Sequence, residues 1–229
     1  MPHFDIVKKT ESSNSFRVAS IMGKFDLQSG EVVEKFSGNI DIENLDWQVG
    51  MIVGNSGTGK TSILNNLYQD CLTEYNFDKT SIIEDMPKGA SVDSITRMFN
   101  SVGFSSPPSW LKPYSVLSNG EKMRVDLAYS LLEGKEVIAF DEFTSVVDRN
   151  VAKITSNAVQ KAIRKTDKKF IAVGCHFDVI DWLLPDWVFN TNDMSFYTTS
   201  KKKDQTLTSE YMKQKINKTI GICLVNTII

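Results

Sequence analysis

Histidine and cysteine are scarce in this chain, and what is missing narrows its chemistry early. The only histidines are His3 and His176. The three cysteines, Cys71, Cys175 and Cys223, are odd in number and far apart, which predicts reduced thiols, not a disulfide framework. The chain has no paired cysteines and only two histidines, so a structural zinc site is not expected. No apolar run approaches the ~20 residues needed to span a bilayer. The opening residues Met1, Pro2, His3, Phe4 and Asp5 lack the basic and apolar regions of a signal peptide. A cytoplasmic protein with no membrane span is the expectation. The formal charge of -2 gives no general attraction to nucleic acid or anionic lipid. Lys201, Lys202 and Lys203 are the local exception, as a solvated linker or a contact. Repeats and low-complexity segments are also absent.

What is present is enough for an ordinary globular core: 229 residues, 41% of them apolar, make one large domain or two small ones. The strongest local pattern is Gly54, Asn55, Ser56, Gly57, Thr58, Gly59, Lys60, Thr61, which matches G-x-x-x-x-G-K-[ST]. It follows the apolar run 47–53, which reads as a buried strand. It precedes a stretch to about residue 74 with Ile63, Leu64, Leu67 and Tyr68 at helical spacing. A strand-to-helix turn of this kind has a mechanism. Its glycines turn backbone N–H groups inward, and the helix N-terminus adds positive dipole. Lys60 reaches the outer phosphates of a nucleotide, and the Thr61 hydroxyl ligates Mg²⁺ beside Ser62.

Before this turn, residues 1–46 alternate between apolar and polar positions around 16–22 and 32–36, predicting two or three antiparallel strands. After it, residues 80–84 form a short β-branched run ended by Pro87 and Gly89. Residues 91–99 read as a helix with Val92, Ile95, Met98 and Phe99 on one face. Pro107, Pro108 and Pro113 mark an irregular connection, packed down by Trp110 and Tyr114. Ser118 and Glu121 make a Ser-x-x-Glu capping box, so a helix begins there and runs to about Glu133, with Met123, Leu127, Leu131 and Leu132 inward and Gly134 closing it.

Residues 137–140 are a buried strand that delivers Asp141 and Glu142 at its carboxyl edge. A helix over 149–165 follows, then a buried strand over 170–174 with Cys175 and His176 at its end. Strands separated by helices predict a parallel sheet whose ligands lie outside the strand carboxyl ends. The sheet continues as 187–190 and 194–197. Residues 201–217 are polar with helix expected towards the end, and the apolar 220–229 is an edge strand or a contact for a partner.

The ordered set of motifs resembles the ATP-binding cassette (ABC) ATPases. Residues 54–61 are similar to their Walker A and 117–121 to their signature. Residues 137–142 are similar to their Walker B with the adjoining catalytic glutamate, Ser145 to Asp148 to the D-loop, and His176 to the switch histidine. The resemblance covers residues 54–176. Two departures stand out: Asn119 and Glu121 replace the usual glycine and glutamine, and no Q-loop glutamine follows the 80–84 run, where Glu84 or Asp85 stands instead. Residues 176–188 also resemble a group of soluble bacterial and phage ABC-type proteins.

The resemblance implies an α/β P-loop NTPase. Its mostly parallel central sheet would carry an N-terminal antiparallel β subdomain and a helical subdomain inserted at about 86–135. The ATPase domain would cover 1–200 and a C-terminal extension 201–229. It implies an ATPase whose cofactors are ATP and Mg²⁺. Lys60, Glu142 and His176 would be catalytic, with Thr61, Asp141 and Glu84 near the metal. Ser118 and Gly120 would reach the ATP of a second copy in an ATP-dependent head-to-tail dimer that drives a protein partner. Phe25, or alternatively Phe36, would stack on adenine. The competing readings are an ATP-binding subunit of a membrane transporter and a nucleic-acid-acting ATPase of the repair or phage-related type.

Overall fold

The computed structural model describes residues 3–10, 15–26 and 32–199. The expectations for 201–229 lie outside the described residues.

At the centre lies a five-stranded sheet in the order β4-β5-β3-β6-β7. Its strands are β3 (Val49–Val53), β4 (Val137–Phe140), β5 (Lys169–Gly174), β6 (Trp187–Asn190) and β7 (Ser195–Thr198). The first four run parallel, and β7 returns antiparallel after the turn at 191–194. Every residue of β3 is buried, as its unbroken apolar run predicts for a strand covered on both faces. Alternate side chains serve two cores. Met51, Phe170, Ala172 and Ile138 pack against one set of helices, while Ile52, Ile171, Val173 and Phe189 pack against the other.

On the second face lies α2 (Lys60–Tyr68), which buries Ile63 and Leu64, together with the antiparallel pair β1 (His3–Thr10) and β2 (Val32–Asn39). Phe4 of β1 meets Phe189 of the sheet edge-on, with ring centroids 5.6 Å apart. The first face is covered by α4 (Val92–Ser101), α6 (Asn119–Leu132), α7 (Arg149–Ile163) and α8 (Val179–Leu183). Between α2 and β4 the described chain is helical or irregular apart from a one-residue bridge at Leu72, with α3 (Ile82–Asp85) and α5 (Pro107–Trp110) completing the inserted helical segment. Among the described residues no helix is long and apolar enough to cross a membrane.

Three expectations are corrected. Residues 16–22 are not a strand but part of α1 (Phe16–Lys24), whose first turn is capped by Ser15 accepting the Val18 N–H. The same apolar positions, Val18, Ile21, Met22 and Phe25, fall on one face at helical spacing, so the period was misread. Residues 80–84 do not join the sheet either. The Asp85 carboxylate accepts the Asp78 and Lys79 N–H groups and the Ile82 N–H bonds to Lys112 O, which curls this stretch into α3. Finally, α2 ends at Tyr68 and passes into one 3₁₀ turn, shorter than the run to 74. The expected helices at 91–99, 118–133 and 149–165 and the strands at 137–140, 170–174 and 187–190 are present.

Candidate functional site

Three neighbouring parallel strands, β3, β5 and β4, end on the same rim of the sheet. Adjacent strands lie about 4.8 Å apart, so their carboxyl ends fall within roughly 10 Å of one another. β3 leads into residues 54–61, β4 into Asp141 and Glu142, and β5 into Cys175 and His176. All three groups stand on one rim, as strands alternating with helices predict.

In the glycine turn, Gly57 and Gly59 have φ of 82° and 83°, a left-handed backbone that other residues rarely adopt. The Lys60 side chain is buried, and its ammonium donates to Gly54 O at 2.9 Å and Asn55 O at 2.7 Å. Thr61 is exposed and Ser62 half-buried, both in the first turn of α2. The turn is braced from a direction that the sequence did not suggest. Asn55 N–H donates to Asn192 Oδ1 at 2.8 Å, the Thr58 and Thr191 hydroxyls are 2.5 Å apart, and Thr191 N–H donates to Val53 O. Thr191 and Asn192 read in sequence only as a turn between strands. Their register with β3, set by parallel pairing of Val53 with Asn190, is what turns them to the loop.

Asp141 is half-buried and accepts the Glu142 N–H at 2.9 Å. Glu142 is exposed with φ of 51°, and Thr144, fully buried, has φ of 64°. Two left-handed non-glycine residues so close mark a tightly constrained loop. Phe143 holds it to β5 by donating its N–H to Val173 O at 2.7 Å. Ser145 stands 3.9 Å from Cys175, and Asp148 caps α7 by accepting the Asn150 and Val151 N–H groups. His176 is half-buried. Two residues on, Asp178 accepts a forked pair of hydrogen bonds from Arg149, whose guanidinium also lies 5.0 Å from the Trp182 ring. This pair ties the start of α7 to the turn that carries His176.

The capping box is formed in both directions: Ser118 Oγ accepts the Glu121 N–H, and Glu121 Oε2 accepts the Ser118 N–H at 3.0 Å. The Ser118 N–H first, then the Ser118 and Ser109 hydroxyls, hold the Glu121 carboxyl below its ordinary range. Gly120 sits against Val147 and Val151, so the start of α6 rests on the loop that leads into α7.

A cavity of about 870 Å³ opens between the end of β4 and α6. Asp141, Glu142 and Val146 form one wall, and Asn119, Lys122 and Asp126 another. A third wall is Glu74, which the sequence reading passed over. Leu72 bridges Ala139 in parallel, so the residues after it run out to the same rim as Asp141. No periodicity announces a one-residue bridge. Glu84, by contrast, is exposed on α3 beside Thr80, and it does not line the cavity. Asp126 has one carboxylate oxygen on the Tyr114 hydroxyl at 3.0 Å and the other buried without a partner. Burial pushes its carboxyl up to about 6, against the lowering effect of Tyr114 and Lys122.

Of the two aromatic candidates, Phe25 ends α1 and is 62% exposed, whereas a Cβ on Gly59 would stand 2.9 Å from the Phe36 ring. Among the described residues no three Asp, Glu, His or Cys side chains gather as metal ligands. A cation at this rim would need oxygen donors from a bound molecule as well as from the protein.

No family model matches the chain. Among curated proteins it is similar to ABC transporter B family member 14 of Arabidopsis thaliana, 26% identical over 174 residues, and to member 13 of the same plant, 26% identical over 167. These matches take in 74% and 71% of this chain but only 13% of each relative's length. Among solved structures it is similar to cbiO1 from Clostridium perfringens, part of the ABC transporter complex cbiONQ. The TM-score is 0.54 at 17% identity, covering 71% of this chain and 78% of that one. A bacterial Atm1-family ABC exporter with ATP bound gives 0.51 at 16%, covering 70% and 33%. The ATP-binding cassette MJ0796, in a dimeric post-hydrolysis state with ADP and Pi, gives 0.56 at 13%, covering 84% and 98%.

Proposed function

Because the chain has the ABC ATPase fold, we propose that it binds ATP with Mg²⁺ and hydrolyses it to ADP and phosphate as one half of a head-to-tail pair of identical chains. The observation that carries this reading is the shared rim of three adjacent parallel strands, with the glycine turn, the Asp141–Glu142 pair and His176 at their ends.

Phosphoanhydride hydrolysis asks a protein for positioning and charge stabilisation more than for covalent chemistry. The amides of 55–61, Ser62 and the α2 N-terminus hold the phosphates, and Lys60 turns its ammonium from two backbone carbonyls to the outer phosphate oxygens. The hydroxyl of Thr61 and the carboxylate of Asp141 are hard oxygen donors that suit Mg²⁺, which neutralises charge on the phosphate oxygens when bound. Glu142 orients the attacking water and takes its proton, and His176 contacts the γ-phosphate. Glu74, on the rim itself, is the acidic side chain better placed than Glu84 to approach that centre. Ser118 and Gly120, at the tip of a capped helix, meet the nucleotide of the second copy. Phe25 is the adenine platform, since the ring of Phe36 is already committed to Gly59.

Purified Glu142→Gln protein is expected to bind ATP, to lose at least 100-fold in turnover, and to accumulate as a dimer on sizing with ATP. Undiminished turnover would remove Glu142 from the mechanism. The transporter-subunit reading keeps its support from the plant relatives and cbiO1. Stoichiometric co-purification with an integral membrane subunit would favour it over a free-standing ATPase serving another protein.

A further inference from the structure

The outer face of α7 forms, with the end of α4, a second groove of about 730 Å³. Residues 149–166 contain no aspartate or glutamate, although the whole chain is slightly acidic. Two of the five cations in this stretch are used internally: Arg149 pairs with Asp178 and Arg164 with Asp186. The other three, Lys153, Lys161 and Lys165, are exposed, line the groove and form no ion pair among the described residues.

Their spacing organises them. Lys153, Asn157 and Lys161 follow one another at four-residue steps, about 6 Å each along α7, and Lys165 comes four residues later in the turn that ends the helix. Beside that basic line runs an apolar one at the same steps, Ile154, Ala158 and Ala162, also lining the groove. Ile154 is 62% exposed, and its side chain ends 4.0 Å from where a Cβ on Gly103 would stand. The two alanines are small, so a partner backbone can come close.

We propose that this groove takes an acidic amphipathic helix from a protein partner. Its leucine-type residues would lie on Ile154, Ala158 and Ala162, and its carboxylates would face the lysine line. Charge complementarity selects the sign of the partner. The chain's own last 30 residues carry six lysines against one aspartate and one glutamate, so they have the wrong sign. A nucleic-acid backbone would satisfy the lysines but leaves the exposed isoleucine unexplained, and no aromatic side chain lines the groove for base stacking. The proposal does not depend on the nucleotide reading, because its test contains no nucleotide.

The probe is a labelled helical peptide of about 18 residues with leucines at i, i+3, i+4 and i+7 and glutamates flanking them. Its controls are a shuffled peptide of the same composition and a single-stranded oligonucleotide of similar charge. By fluorescence anisotropy the patterned peptide should bind saturably and at least tenfold tighter than the shuffled one. Lys153→Glu with Lys161→Glu should weaken it tenfold or more, and Ile154→Ser several-fold. Each variant is first matched to the parent by thermal melting, with Lys153→Gln plus Lys161→Gln as the milder substitute. Absence of saturable binding, equal binding of the shuffled peptide, or indifference to Ile154→Ser overturns the proposal. Tighter binding of the oligonucleotide with the same lysine dependence also overturns it and reassigns the groove to nucleic acid.

Discussion

Replacing Asp126 by asparagine should make the protein more stable at neutral pH, and by an amount that depends on pH. Burial pushes this carboxyl from its ordinary 3.8 up to about 6, while the Tyr114 hydroxyl and the charge of Lys122 act in the other direction. The folded chain therefore keeps a proton on Asp126 at pH values where the unfolded chain has released it. Stability from this group is fully present below about pH 4 and declines as pH rises through 6. At about 1.4 kcal/mol for each pH unit between the two values, ionised Asp126 costs up to about 3 kcal/mol at pH 7. Asparagine does not ionise, and its Oδ1 can accept the Tyr114 hydroxyl that Asp126 now accepts at 3.0 Å. Urea unfolding of parent and variant at about pH 4.5 and 7.5 should show an advantage for the variant that grows by about 2 kcal/mol from the lower value to the higher, from about 1 to about 3. A difference that stays constant across this range, or shrinks towards pH 7.5, refutes the argument.

Lys60→Ala should abolish measurable ATP binding in calorimetry, at least a tenfold loss of affinity, because the charge-assisted bonds to the outer phosphates go with the ammonium. Retained affinity would remove the phosphate role of the glycine turn. Gly50→Ala should destabilise by about 1–3 kcal/mol in urea, since its Cβ would stand 2.1 Å from the Trp187 ring at the centre of the sheet. A neutral result would contradict that packing. Ser118→Ala should cost about 1 kcal/mol through the lost cap on α6, and unchanged stability would mean that the reciprocal bonds to Glu121 do not fix that helix.

The parallel strands were legible because burial on both faces forces continuous apolar runs, as in Val49–Val53 and Lys169–Gly174. The start of α6 was legible because Ser118 and Glu121 form its capping box, whereas the caps at Ser91 and Asp148 are seen only in the structure. Residues 16–22 misled because α1 buries none of its residues, so tertiary packing adds nothing to separate its helical period from alternation. Residues 80–84 misled because β-branched residues suggested a strand, while the fold of that turn is decided by Asp85 reaching back to two backbone N–H groups. Within the site, the residues on regular elements and in the glycine turn could be named from their order. Glu74, Thr191 and Asn192 could not, since each arrives through a bridge or a loop whose position depends on distant strands.

The left-handed backbone at Glu142 has one more effect. A glycine there would relieve conformational strain of order 1 kcal/mol without disturbing the Phe143 anchor to β5. Laboratory evolution that rewards heat tolerance alone should drift towards glycine at 142, and the survivors would be sturdier proteins that had discarded a carboxylate.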